Sequence, residues 1–227
     1  MEYLLDSADV GAIKEYMEYL PLSGITTNPS FISQEKAEFI PLVKSIRQLI
    51  GDEMALHVQV LADNLDGILT EAKFLEQEIG GNLYIKVPTT KVGLAAMKQL
   101  KTLGFKITAT AICNTQQALL AALSGADYVA PYVSRIDNIN STGVATVAEI
   151  VQIFDNYDLP TKVLGASFKT VNQVTELALC GCQAVTIGKD VMGQLLFHPL
   201  TDWSLDKFNH DWLAVYQDLT AINPRLH

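Results

Sequence analysis

The chain has 227 residues, 49% of them hydrophobic, and a formal net charge of −9. This length buries a sizeable core in one α/β domain. Without a cluster of Lys or Arg it carries no nucleic-acid footprint, and no apolar stretch approaches the roughly 20 residues of a membrane span.

The opening Met1-Glu2-Tyr3-Leu4-Leu5-Asp6 has neither a basic region nor a long apolar run, so no signal peptide is expected. Cys113, Cys180 and Cys182 form no even framework, and the Cys180-Gly181-Cys182 spacing is too tight for an easy disulfide. Buried free thiols in a reducing cytoplasm are expected instead. No histidine lies near them in sequence, so no metal role is assigned.

Residues 3–6 read as a first strand. Ser7 or Asp9 can cap the next helix, where Val10, Ile13, Met17 and Leu20 recur at helical spacing until Pro21. Residues 24–27 form a second strand, and Asn28-Pro29-Ser30 turns into another helical region. Pro41 suits the first turn of a helix through Leu49, closed by Gly51. Residues 55–60 form a third strand. Asp63 opens a helix through Ile79, which Gly80-Gly81 ends.

Leu83-Tyr84-Ile85-Lys86-Val87-Pro88 is the fourth strand, with β-formers around a lysine and a closing proline. Side chains alternate along a strand. If Ile85 and Val87 pack outward against helices, Tyr84 and Lys86 point inward. Apolar surroundings penalise an ammonium and favour the neutral amine, which attacks a carbonyl. The bland alternative is a strand-end lysine snorkelling to water.

The second half keeps the rhythm. A helix over residues 92–103 stops at Gly104, and residues 106–112 form strand five. Asn114 caps an Ala/Leu-rich helix ending near Gly125. Residues 128–133 form strand six, and a polar loop over 134–143 leads to a helix through about Phe154. Residues 162–167 form strand seven, 171–179 a helix and 184–187 strand eight. A short helix over about 190–196 follows. After Pro199 an extra amphipathic helix, over 200–222, carries Trp203, Phe208, Trp212 and Tyr216.

Eight strand–helix units at roughly 25-residue spacing predict a TIM (β/α)8 barrel spanning 1–227 as one domain. An open doubly wound sheet would show a glycine-rich phosphate turn after strand one, and Asp6-Ser7-Ala8-Asp9 is not one. Barrel chemistry sits at the C-terminal strand ends. Polar residues collect there: Asp6, Thr26, Asn28, Gln59, Lys86, Thr110, Tyr132, Arg135 and Ser167. Each has a structural explanation taken singly. Asp6 could be a cap, Gln59 a core amide and Arg135 a surface partner of Asp137. Jointly, seven consecutive strands ending this way read as a site. His57 lies two residues before Gln59, one layer deeper on the same face, and reads as a core histidine.

The segments Asp6-Ser7-Ala8, Thr26-Thr27-Asn28-Pro29-Ser30, Lys86-Val87-Pro88, Ala130-Pro131-Tyr132-Val133-Ser134-Arg135-Ile136-Asp137 and Ala166-Ser167-Phe168-Lys169 together resemble the transaldolase family. The likeness is closest to its short-chain branch of fructose-6-phosphate aldolases and small transaldolases, and it runs the whole chain in order. It implies a class I aldol mechanism that uses no metal and no cofactor. By resemblance, Lys86 is the Schiff-base lysine and Asp6 the carboxylate that assists proton transfer. Thr26 and Asn28 orient the donor unit, and Thr110 helps hold a catalytic water. Arg135 and Ser167 take a substrate phosphate. Lys169 and Lys189 could add positive potential there or be solvated strand-end lysines.

Two positions separate the branches. True transaldolases carry glutamate and phenylalanine where this chain has Gln59 and Tyr132. An amide cannot act as a carboxylate base, so Gln59 can only hold the water, and the Tyr132 phenol can transfer the proton through it. The sequence therefore reads as an aldolase that cleaves fructose 6-phosphate to dihydroxyacetone and glyceraldehyde 3-phosphate. The alternatives are a pentose phosphate pathway transaldolase and a sugar-phosphate sensor without turnover. The resemblance further implies a large ring-based homo-oligomer, a pentamer-based decamer, whose terminal helix reaches a neighbouring subunit.

Overall fold

A computed structural model describes residues 1–139, 141–222 and 225. Runs of β-formers alternate with amphipathic runs, and they resolve in chain order into strands and helices. The first half holds β1 (Glu2–Asp6), α1 (Val10–Met17), β2 (Gly24–Thr26), α2 (Pro29–Gln34), α3 (Phe39–Ile50), β3 (Ala55–Gln59), α4 (Leu65–Ile79), β4 (Leu83–Pro88) and α5 (Lys91–Thr102). The second holds β5 (Lys106–Ile112), α6 (Thr115–Leu123), β6 (Tyr128–Pro131), α7 (Val133–Asp137), α8 (Gly143–Asn156), β7 (Lys162–Gly165), α9 (Val171–Leu179), β8 (Ala184–Gly188), α10 (Lys189–Met192) and α11 (Pro199–Leu213).

The eight strands are parallel and close on themselves, because β1 pairs with both β2 and β8. This is the expected TIM barrel. Contacts divide the chain into two units, Met1–Met192 with the barrel and Gly193–His227 with α11. Among the described residues no helix is long and apolar enough to cross a membrane.

Strand alternation places the core. Ile85 and Val87 are fully buried on the outer face of β4, as are Val58, Ile107, Val129 and Val185 on other strands. The helices meet them with Ile46, Ala72, Met97, Leu100 and Ile150, also fully buried. Truncating such a residue to alanine costs about 2–5 kcal/mol.

The barrel interior is filled in layers. At the N-terminal end Tyr128 donates to Glu2 at 2.6 Å, and Lys162 pairs with the same carboxylate at 2.6 Å. Above it Tyr84 stacks on His57 with centroids 4.6 Å apart, and Tyr128 meets His57 edge-on at 5.4 Å. His57 Nδ1 lies 2.7 Å from Thr108 Oγ1. Nε2 is buried and has no hydrogen-bond partner among the described residues. Burial first, and the Lys86 charge second, push the imidazole pKa down to about 3. His57 is thus a neutral core histidine, the placement its spacing predicted.

Helix caps follow directly on strand ends. Asp9, Asn28, Asn64, Thr90, Asn114 and Thr170 each accept a backbone N–H three residues on, satisfying donors that the first helical turn leaves open. A Cβ at Gly93 would overlap the Pro88 carbonyl, so glycine lets α5 start tight against the end of β4.

Some boundaries differ from the sequence reading. The cap of α4 is Asn64, not Asp63. The stretch read as a polar loop over 134–143 contains most of α7, whose Ile136 N–H bonds back to the Tyr132 carbonyl. Residue 140 lies outside the described residues. Strand β6 stops at Pro131 and β7 at Gly165, so Tyr132 and Ala166 pair only through an isolated bridge. Helix α10 ends at Met192, short of the expected 196. Helix α11 spans Pro199–Leu213 rather than 200–222. Tyr216 lies beyond it and packs its ring 4.3 Å from Trp212, whose indole N–H donates to the Asp218 carbonyl at 2.8 Å.

Candidate active site

A cavity of about 590 Å³ opens at the C-terminal ends of the strands. Asp6, Asn28, Gln59, Lys86, Tyr132, Arg135 and Ser167 line it. Thr26 and Thr110 stand behind the wall, fully buried. The residues singled out by sequence therefore converge on one site.

Lys86 is held on the inner face of β4, directly beside Gln59 in the β3–β4 register. It is only 5% exposed. Its Nζ donates to the Thr27 carbonyl at 3.0 Å. The amine is therefore aimed across the barrel mouth and shielded from bulk water.

Asp6 stands at the end of β1, opposite Thr26 in the β1–β2 register. Thr26 Oγ1 donates to its Oδ1 at 2.7 Å. Burial is the largest influence on Asp6 and raises its carboxyl above the ordinary carboxylate range. The Lys86 charge, then hydrogen bonds from Thr26 and Asn28, pull the other way. Asn28 has two duties. Its Oδ1 caps α2 by accepting from Phe31 N–H at 3.0 Å, which leaves its amide nitrogen to face Asp6.

The opposite wall is built around Tyr132. Its hydroxyl lies 2.9 Å from Thr110 Oγ1. Beside Thr110 the β5–β6 register shifts between Ala109 and Ile112, and Ala111 takes a φ of 59°. A bulge of this kind re-aims side chains next to a site. It lets Ala111 line the cavity while Thr110 stays buried behind Tyr132.

Arg135 projects from α7 and stacks on the Tyr132 ring at 4.6 Å. Ser167 sits in the left-handed region, with a φ of 62°, and its carbonyl accepts the Ser134 N–H at 3.0 Å. A network from α9 braces both. Gln173 Oε1 accepts from Lys169 N–H at 2.8 Å and Ser134 Oγ at 3.2 Å, while Gln173 Nε2 donates to Asp137 at 2.7 Å. Asp137 also accepts Gly143 N–H at 2.7 Å, so it serves this brace rather than a pair with Arg135. Lys169 and Lys189 line the same cavity. Lys189 is tied to Asp9 at 3.0 Å.

Sequence reasoning passed over three contributors. Gln173 looked like an ordinary helix residue, although Thr170 and Gln173 at capping-box spacing could have flagged it. Ala111 gave no signal. Thr186 was placed on strand eight without a role, yet its Oγ1 lies 2.6 Å from Thr26 Oγ1. Its inward parity on that strand was the available clue. Among the described residues no three His, Cys, Asp or Glu side chains cluster as metal ligands.

Comparison with known proteins accords with this geometry. The profile of the Transaldolase/Fructose-6-phosphate aldolase family matches residues 3–223. The chain belongs to that family. It is 39% identical over 216 residues to a probable fructose-6-phosphate aldolase of Streptococcus pneumoniae, covering 95% of this chain and 97% of the relative. It is also 39% identical over 212 residues to a probable transaldolase of Thermoanaerobacter sp., covering 93% and 97%. Among solved structures, thiamine phosphate pyrophosphorylase from Pyrococcus furiosus superposes with a TM-score of 0.59 over 84% of this chain and 86% of that one. At 16% identity this likeness concerns the barrel fold alone.

Proposed function

We propose that this protein is a class I aldolase that reversibly cleaves fructose 6-phosphate to dihydroxyacetone and glyceraldehyde 3-phosphate. The observation that carries the reading is the shielded Lys86 amine, 5% exposed, in a cavity that also holds Asp6, Gln59 and Tyr132. Lys86 attacks the C2 ketone, and loss of water gives an iminium. The iminium accepts the electron pair as the C3–C4 bond breaks, while the C4 hydroxyl passes its proton to the water beside Tyr132. Glyceraldehyde 3-phosphate leaves. The remaining enamine takes a proton at C3 from water held by Gln59 and acidified through Tyr132, whose hydroxyl Thr110 orients from behind. Hydrolysis then frees dihydroxyacetone and Lys86. Asp6 assists the proton transfers and, with Asn28, holds the donor hydroxyls, with Thr26 behind them. Arg135 and Ser167 bind the phosphate, for which a guanidinium fork is suited.

A transaldolase would hand the dihydroxyacetone unit to a second aldehyde instead, within the pentose phosphate pathway. The likeness to a probable transaldolase keeps that reading in view. Gln59 and Tyr132, an amide and a phenol at the water site, favour release. Assaying free dihydroxyacetone against transfer to erythrose 4-phosphate separates the two. Release dominates if the aldolase reading holds, and dominant transfer overturns it.

The same proposal includes a cytoplasmic setting, supported by three unpaired cysteines. It also includes a pentamer-based decamer in which α11 reaches a neighbouring copy. Support for this comes from α11 itself, which has no buried residue and leaves Trp203 and Phe208 exposed. Light scattering that returned a monomer would count against the assembly.

A further inference from the structure

Asp6 is reached by a chain of two hydroxyls. Thr26 Oγ1 lies 2.7 Å from Asp6 Oδ1 and 2.6 Å from Thr186 Oγ1. Thr26 is fully buried and Thr186 is 2% exposed, so bulk water does not compete for either. Thr26 has one hydroxyl proton. When it donates to an ionised Asp6, the short contact to Thr186 is filled only by Thr186 donating to Thr26. When Asp6 is protonated and donates to Thr26, the order reverses and Thr26 donates to Thr186.

We infer that Thr186 is a positioning residue for the reaction: acting through Thr26, it holds the Asp6 carboxylate in place and stabilises its ionised form. This rests on the aldolase reading for its catalytic consequence, and on the hydroxyl chain alone for its effect on Asp6. Hydrogen bonds to an ionised acceptor are about twice as strong as neutral ones, and a donor that is itself a recipient is polarised further. Loss of the Thr186 hydroxyl therefore falls chiefly on the charged state of Asp6. That state is already disfavoured by burial.

Other groups face Asp6 as well. Lys86 on β4 stabilises its charge. Tyr132, Arg135, Lys169, Lys189 and Asp190 share the cavity, with Lys189 engaged by Asp9. None of these changes when Thr186 alone is replaced. Thr186→Val preserves the branched shape of the side chain and removes the hydroxyl. Thr186→Ser preserves the hydroxyl.

The test compares wild type, Thr186→Ser, Thr186→Val and Thr186→Ala. The Asp6 carboxyl is titrated by carbon-13 NMR without substrate, and kcat/KM for fructose 6-phosphate is followed against pH. The Asp6 titration and the acid limb are expected to move up by about one pH unit in the Val and Ala variants, the equivalent of one charge-assisted hydrogen bond. The Ser variant should follow wild type. Rates in Val or Ala that fall equally at all pH values, with Asp6 titrating as in wild type, would overturn the inference and leave Thr186 a packing residue. If wild type proves to lack aldolase activity, the proposed function fails, and the NMR titration still decides the hydroxyl chain.

Discussion

The guanidinium of Arg135 lies 4.6 Å from the ring centroid of Tyr132. The residue assigned to phosphate thus rests on the residue assigned to proton transfer. A cation over an aromatic face is attracted by about 0.5–1 kcal/mol at an exposed site. The contact gives the Arg135 guanidinium a defined starting position, with Ser167 on the same cavity wall.

If Arg135 binds the substrate phosphate as proposed, replacing it with alanine removes a charge-assisted contact. Such a contact is worth about 1.5–3 kcal/mol, so kcat/KM for fructose 6-phosphate should fall roughly 10- to 150-fold. Steady-state kinetics should place most of the loss in KM. Formation of the Lys86 adduct with unphosphorylated dihydroxyacetone should be nearly unchanged.

Tyr132→Phe keeps the ring under Arg135 and deletes the hydroxyl that meets Thr110 at 2.9 Å. General acid–base groups contribute about 10²–10⁴-fold, and release of dihydroxyacetone should drop by that order. Iminium formation at Lys86 should persist. If release were as fast as in wild type, the phenol would not be the proton-transfer group.

Asp6→Asn separates stability from activity. Burial raises the Asp6 carboxyl in the folded chain. A raised carboxyl contributes stability that is full below its unfolded value near 3.9 and lost as pH rises through its folded value. Above that value the native state carries a disfavoured buried charge. The Asn variant should show a higher urea midpoint than wild type at neutral pH, with the gap closing in acid. Its turnover should fall about 10²-fold or more.

His57 has the opposite linkage. Its folded pKa lies near 3, while an unfolded histidine titrates near 6.5. The unfolded chain therefore binds the extra proton, and stability falls as pH drops from about 6.5 toward 3. Between pH 7 and 5 this single group removes about 2 kcal/mol. His57→Phe should flatten that part of the stability–pH curve in urea denaturation. An unchanged slope would mean that the imidazole is not held neutral.

The barrel was legible in the sequence because its signals are periodic. Alternation in Leu83-Tyr84-Ile85-Lys86-Val87-Pro88 fixed which way Lys86 points, and the structure buries Ile85 and Val87 on the other face. Polar residues at successive strand ends gave the site for the same reason. What stayed hidden depends on tertiary contact. Helix α7 is short, and its signal was lost among the polar residues around it. The stretch beyond Leu213 keeps apolar residues at plausible helical spacing, yet the Val215 N–H bonds to the carbonyl of Trp212, only three residues back, and the chain turns so that Tyr216 meets Trp212. The role of Thr186 could not be read from propensity, since threonine suits any strand. It emerged only when β8 closed against β1 and brought the hydroxyl to Thr26.

Borohydride trapping with peptide mapping tests the central claim most directly. Incubation with dihydroxyacetone and borohydride should leave a stable adduct on the peptide containing Lys86, and Lys86→Met should form none while keeping its fold. No adduct, or an adduct on Lys169 or Lys189 with Lys86 unmodified, would contradict the account.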